Sequence, residues 1–300
     1  MDQVAENAVK TLNVAFDDYP QTRALKSGAV KSDRVTLNFS DIKPANRFFK
    51  PMVRELKFDI SEMAIATAIQ AKAYGRPIVL MPATIMGRFQ HGTMLYNAAR
   101  GTITPADLAG KRVGVRSYSQ TTVTWVRGIL QNDYGVDLGR IHWISQEDGH
   151  VAEYREPAGI ERNEKNLLQM LRDGDIDAAI YGAELPDEPT FRSVIPEPAA
   201  AAQAWYAKHN AVPINHMVVA TERLSESEPD AIREVFRLLA QSKQKAGLPK
   251  PGGIDFLPFG LDRCRATLDI MINYMVQQNL VPRRLTVDDL FDATTRTLKP

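Results

Sequence analysis

Leu108-Ala109-Gly110-Lys111-Arg112-Val113-Gly114-Val115 runs directly into Arg116-Ser117-Tyr118-Ser119-Gln120-Thr121-Thr122, and this junction decides the fold. Residues 111–115 read as a short buried strand and the polar cluster as its loop. Residues 123–132 continue as a helix that Gly135 stops. Working outward, strands are expected at 12–16, 35–39, 58–60, 78–81, 94–97, 141–145, 176–181 and 212–220. Helices are expected at 22–27, 44–56, 63–74, 166–173, 230–246 and 261–278, with Ser61-Glu62 capping the one at 63–74. In the second of these, Phe48, Met52 and Leu56 recur at i, i+4 and i+8. Short apolar strands alternating with helices predict parallel α/β organisation.

Three hundred residues exceed one compact domain, so two lobes are expected. With 44% apolar and 24% charged residues, the chain has the composition of an ordinary globular protein and buries enough surface to fold without staples. A net charge of +1 provides no basic face for nucleic acid, whereas a small anion needs only two or three local cations. The lone Cys264 allows neither an intramolecular disulfide nor a multi-cysteine metal site, and its place in an amphipathic helix predicts inert packing. The first residues, MDQVAENAVKTLNVAF, lack the basic and apolar regions of a secretory signal, and no run is long enough to span a bilayer. The expectation is a cytoplasmic protein with no membrane or nucleic-acid partner, homo-oligomerisation being left open.

Leu108 to Val115 resembles the element that opens the second lobe of the type II periplasmic-binding-protein fold, and Asp175-Ile176-Asp177-Ala178-Ala179 resembles a later strand of that lobe. The resemblance implies an α/β, two-lobed type II periplasmic-binding-protein-like fold, each lobe a mainly parallel sheet flanked by helices. Lobe 1 would comprise 1–107 and 213–300, lobe 2 108–212, with the ligand cleft between them. A finer likeness is carried by Phe58-Asp59-Ile60-Ser61-Glu62-Met63, Gly87-Arg88-Phe89-Gln90-His91-Gly92 and Gly114 to Thr122. Trp125-Val126-Arg127-Gly128, His150-Val151-Ala152-Glu153-Tyr154 and Pro213-Ile214-Asn215-His216-Met217 extend it. In this order the six motifs resemble the 4,5-dihydroxyphthalate decarboxylase family over nearly the whole chain. That implies decarboxylation of 4,5-dihydroxyphthalate, or a closely related dihydroxylated aromatic diacid, to 3,4-dihydroxybenzoate and CO2 in aromatic catabolism.

Such chemistry needs cations or free N–H groups for the carboxylates, an acid to protonate the ring carbon and a hydrogen-bonding base for the hydroxyl. His91, His150, His216 and Glu153 are the candidate catalytic residues. His150 and Glu153 stand at i, i+3, and on one helical face they would form an acid–base couple or hold a divalent metal. His216, at the start of an apolar strand, falls where the chain returns to lobe 1 and would line the cleft. Arg88 and Arg116 are the candidate carboxylate anchors. Ser117, Gln120 and Thr121 lie where a strand enters a helix, whose free N–H groups suit an anion, although Ser119 or Thr121 as a plain N-cap also explains the turn. Ser61, with Glu62 secondary, and Tyr19, Arg23 and Tyr181 in or beside strand-to-helix loops complete the substrate-binding set, with Glu184 comparable to Tyr181.

No phosphate-cradling glycine motif signals a nucleotide-type cofactor, and the chemistry requires none. A divalent metal is open, with His91, His150, Glu153 and His216 as the ligand types available. The competing reading on the same scaffold is a non-catalytic cytosolic binding or sensor protein for an aromatic carboxylate.

Overall fold

The computed structural model describes residues 9–182 and 184–300. The first lobe opens with β1 (Lys10–Ala15), α1 (Pro20–Lys26), β2 (Val35–Phe39), α2 (Asn46–Glu55), β3 (Ile60–Ala64), α3 (Ile65–Ala73) and β4 (Ile78–Gly87). The second contains β5 (Met94–Asn97), β6 (Arg112–Val115), α4 (Thr121–Asp133), β7 (His142–Ser145) and β8 (Glu161–Arg162). It continues through α5 (Leu167–Asp173), β9 (Ala178–Ile180), β10 (Phe191–Ser193) and α6 (Pro198–His209). The chain then returns to the first lobe with β11 (Ile214–Thr221), α7 (Glu222–Ser227), α8 (Pro229–Lys245) and α9 (Leu261–Gln277).

The first sheet has the order β2-β1-β3-β11-β4 and the second β10-β5-β9-β6-β7-β8. Both are mixed. β1, β2 and β3 are mutually parallel, as are β9, β6, β7 and β8; β11 and β5 run antiparallel to both their neighbours. The exceptions have a common cause. The parallel strands end at the cleft, so a chain arriving from the other lobe starts at the cleft and runs away from it. β5 is the first strand after the outward crossing and β11 the first after the return. Because β5 pairs with β9 and β10, the second lobe takes in residues before 108 and the expected boundary moves to before Met94.

Three local expectations are corrected. Ser61 and Glu62 do not cap a helix: they sit inside β3, which is buried along its whole length between β1 and β11. Residues 147–158 form no helix, so His150 and Glu153 do not share a helical face. The Ala-rich run at 199–204 belongs to a full helix, α6, that had not been expected.

α4 is buried on all sides from Thr121 to Leu130, as a helix between two lobes must be. Trp125 Nε1 donates to the Ile214 carbonyl at 2.8 Å, and Gln278 Nε2 donates to that of Thr124 at 3.0 Å. Gly128 admits the Tyr274 ring so closely that a Cβ there would stand 1.9 Å from Tyr274 Cδ2. Elements of the first lobe thus pack directly on α4, and one apolar core runs through both lobes.

Candidate active site

The strand ends and the starts of β11 and α4 enclose a cavity of about 360 Å³ between the lobes, the size range of small-molecule sites. A larger groove, about 670 Å³, lies under α8. Its arginines 233, 237 and 263 and Lys243 each face an acid of the same lobe, and Lys299 is the remaining lining cation. The cavity between the lobes differs in drawing its lining from both lobes.

On the first-lobe wall, Glu62 is fully buried and fully occupied. Its Oε1 accepts from Tyr19 Oη at 2.8 Å and lies 2.6 Å from His216 Nδ1, while Oε2 accepts the Asp17 N–H at 3.1 Å. A buried carboxylate is tolerated when its lone pairs are met in this way. Its contact with Nδ1 leaves Nε2 as the free nitrogen of His216, which lines the cavity. Burial, with the charge of Glu62 beside it, pushes the Tyr19 phenol far up, so Tyr19 stays a hydrogen-bond donor.

His150 arrives from the second lobe. Thr67 Oγ1 lies 2.7 Å from its Nδ1, and Phe49 meets both imidazoles edge-on, with centroids 5.6 Å from His150 and 5.1 Å from His216. Arg54 donates to the carbonyls of His150 (2.7 Å) and Gly149 (3.1 Å), tying this loop to the first lobe. Burial, then the charges of Arg116, Lys50 and Arg54, lowers the His150 pKa to about 3, so its ring is neutral at ordinary pH.

Arg88 is half-buried and burial lowers its pKa, yet its Nη2 donates only to the Gly182 carbonyl (2.5 Å) and, weakly, to Thr122 Oγ1 (3.5 Å). Its Nε has no partner, and among the described residues no carboxylate pairs with it. Arg116, at the same cavity, already has Glu147 Oε1 2.9 Å from its Nε. Gln120 and Thr121, at the first turn of α4, line the cavity too, and Thr121 Oγ1 accepts the Ala66 N–H at 3.2 Å. Arg88, Arg116 and the helix N-terminus thus form one side of the cavity that suits a carboxylate, while the acids Asp17 and Glu184 also lie on its lining.

Of the residues expected at a site, Tyr19, Arg88, Arg116, Gln120, Thr121, His150 and His216 are brought together here. The others are not. His91 is buried outside the cavity among Phe89 and Trp205, and burial lowers its pKa to about 4. Glu153 is exposed and pairs with Arg76 at 3.3 Å. Arg23 lies on the outer face of α1, and Ser61 is buried with its hydroxyl donating to the Glu62 carbonyl. Ser117 is buried, and its carbonyl accepts the Gln120 N–H to close the turn before α4. Tyr181 packs with the second-lobe core, its phenol pushed up to about 12 by burial, so its neighbour Gly182 is the residue that reaches the cavity. Glu184 does line it. Asn215 and Thr67 are the additions, and Glu62, secondary in the sequence reading, acts here through its contact with His216.

The four metal-ligand candidates do not converge: only His150 and His216 share the cavity. Among the described residues, no three His, Cys, Asp or Glu side chains gather as an ion shell. Cys264 is buried and burial pushes its thiol up to about 12, which leaves it unreactive. No helix of the described residues is long and apolar enough to cross a membrane.

The two mixed sheets, the double crossing and the cleft at the strand ends define the class, a periplasmic-binding-protein-type scaffold. The periplasmic aliphatic sulphonate binding protein SsuA of Escherichia coli superposes with a TM-score of 0.60 over 95% of this chain and 98% of its own, at 11% identity, a likeness of fold alone. Within the class, the chain is similar to two curated 4,5-dihydroxyphthalate decarboxylases, as its motifs had indicated. That of Comamonas testosteroni is 27% identical over 323 aligned positions, 93% of this chain and 96% of its own length. That of Pseudomonas putida is 29% identical over 210, 65% and 81% respectively. No protein-family model matches.

Proposed function

We propose that this protein is a carboxy-lyase that converts 4,5-dihydroxyphthalate, or a closely related dihydroxylated aromatic diacid, to 3,4-dihydroxybenzoate and CO2. The observation that carries the reading is the buried Glu62–His216 couple facing the uncompensated Arg88 across one cavity. The similarity to enzymes named for this reaction supplies the substrate class.

Each ring carbon bearing a carboxylate in 4,5-dihydroxyphthalate is para to a hydroxyl. As the hydroxyl gives up its proton, electron density moves to that carbon, which takes a proton and becomes tetrahedral. The bond to the carboxylate then breaks, its electron pair restores the aromatic ring and the hydroxyl, and CO2 leaves. The net change is one proton gained on carbon and one CO2 lost.

Arg88 and the first turn of α4 anchor carboxylate, with Arg116 beside them. His216 delivers the proton from Nε2, and Glu62 fixes its tautomer and supports the imidazolium between turnovers. Neutral His150 accepts from or donates to a ring hydroxyl through Nε2. Phe49 and Ala64 give the ring an apolar wall, and exclusion of water strengthens every charge contact.

The test is CO2 release from 4,5-dihydroxyphthalate by purified protein, after chelation and with added divalent metal. Turnover that requires metal would add an ion to His150 and His216. Folded protein that binds the compound tightly and leaves it unchanged in both conditions would replace this reading with a binding or sensor role. A cytoplasmic site of action is part of the proposal, and fractionation of the native host tests it.

A further inference from the structure

Arg127 is the one arginine of α4, 0% exposed, two turns in from the cavity. Its Nη2 donates to the Tyr118 carbonyl at 2.8 Å, and its guanidinium lies 3.6 Å from the centroid of the Tyr118 ring and 5.4 Å from that of Trp143. Nε and Nη1 have no partner, and among the described residues no carboxylate forms an ion pair with it. Burying a guanidinium carries a desolvation cost, opposed here by the Tyr118 contacts and by the nearby Tyr154 and Glu156. Tyr118 is the middle of the turn in which the Gln120 N–H donates to the Ser117 carbonyl at 3.1 Å, and Gln120 is the N-cap of α4. Glu156 approaches the same turn from the opposite loop. Burial raises its carboxyl, against the pull of Arg162 and of the Tyr118 N–H.

We infer that Arg127 is a positioning residue for the carboxylate seat. Its stacked, hydrogen-bonded guanidinium holds the Tyr118 peptide from behind, which fixes the turn and aims the first N–H groups of α4 into the cavity. This rests on the proposed function only in taking an aromatic carboxylate as the ligand.

The test compares R127M with wild type, with phthalate as anionic probe and catechol as neutral one, by calorimetry, alongside thermal unfolding. The expected result is a phthalate Kd raised about tenfold or more, a catechol Kd unchanged within about threefold, and a melting temperature near that of wild type. R127K should fall between. A merely structural residue would shift the melting temperature and weaken both probes alike, and that outcome, or an unchanged phthalate Kd, overturns the proposal. Should R127M not fold, R127K and R127Q carry the comparison: the expected order of phthalate Kd is wild type, R127K, R127Q, and equal values overturn it. Wild-type protein that binds phthalate but releases no CO2 defeats the proposed reaction and leaves Arg127 to be judged by its Kd ratio. Wild-type protein that binds no aromatic carboxylate defeats both.

Discussion

Replacing Glu62 with glutamine changes one oxygen to an amide nitrogen in a site where every neighbour is a donor. Oε1 faces Tyr19 Oη and His216 Nδ1, and Oε2 faces the Asp17 N–H. If the new NH2 turns toward Asp17, two donors confront each other in a buried site. That costs about 1–3 kcal/mol of stability. If it turns toward His216, Nδ1 becomes the acceptor, the ring takes the opposite tautomer, and no carboxylate supports the imidazolium. The rate consequence of losing such a partner is roughly 10²–10⁴-fold in kcat, or about 3–5.5 kcal/mol of barrier at 1.36 kcal/mol per decade. The carboxylate anchors are untouched, so phthalate Kd should stay within about threefold of wild type. Stopped assays for 3,4-dihydroxybenzoate give kcat, and calorimetry gives Kd. An E62Q enzyme with kcat within about threefold of wild type would refute the coupling of Glu62 to His216 as the source of the proton.

R88M should raise KM and phthalate Kd by roughly 30–100-fold, the loss of a charge-assisted contact of about 2–3 kcal/mol. R116Q should raise them less, because Arg116 already faces Glu147; the reverse order would contradict the assignment of anchors. Burial lowers His91 to about 4, and burial with the charges of Arg116, Lys50 and Arg54 lowers His150 to about 3, against an ordinary 6.5, so the unfolded chain binds more protons between these values. Stability should therefore fall as pH drops from about 6.5 toward 4. H91L should flatten part of that slope in urea titrations while leaving kcat intact; a large loss of kcat would return His91 to the catalytic set. G128A sets a Cβ against the Tyr274 ring and should lower stability by about 1–3 kcal/mol or more in denaturant unfolding, and an unchanged midpoint would show that α9 yields there.

Local pattern was enough to read the alternation of strands and helices, and the spacing of Phe48 and Met52 located α2. Local pattern also misled where distant partners decide the outcome. Ser61-Glu62 before an apolar run reads as a cap, since nothing nearby shows that residues 43 positions before and 154 positions after Glu62 will satisfy its carboxylate inside a strand. α6 was missed because a run of alanines has no apolar period, although alanine is the best helix former. Arg88 and Arg116 were legible as cations flanking polar turns, but only the fold distinguishes the unpaired from the paired. Three histidines were candidates in sequence. The crossing of β11 separates them, bringing His216 to the cavity while His91 turns away behind the last residues of β4.

β11 has a consequence for how the molecule comes into being. It lies inside the first sheet, between β3 and the edge strand β4, yet it is made about 130 residues after β4. A nascent chain can present every strand of the second lobe while the first sheet still has a gap between β3 and β4. Until Ile214–Thr221 leaves the ribosome and fills that gap, Glu62 has no imidazole beside it. Closing the sheet and pairing Glu62 with His216 are then one event, so chains truncated before 214 would lack that pair and the Ile214 carbonyl on which Trp125 of α4 rests.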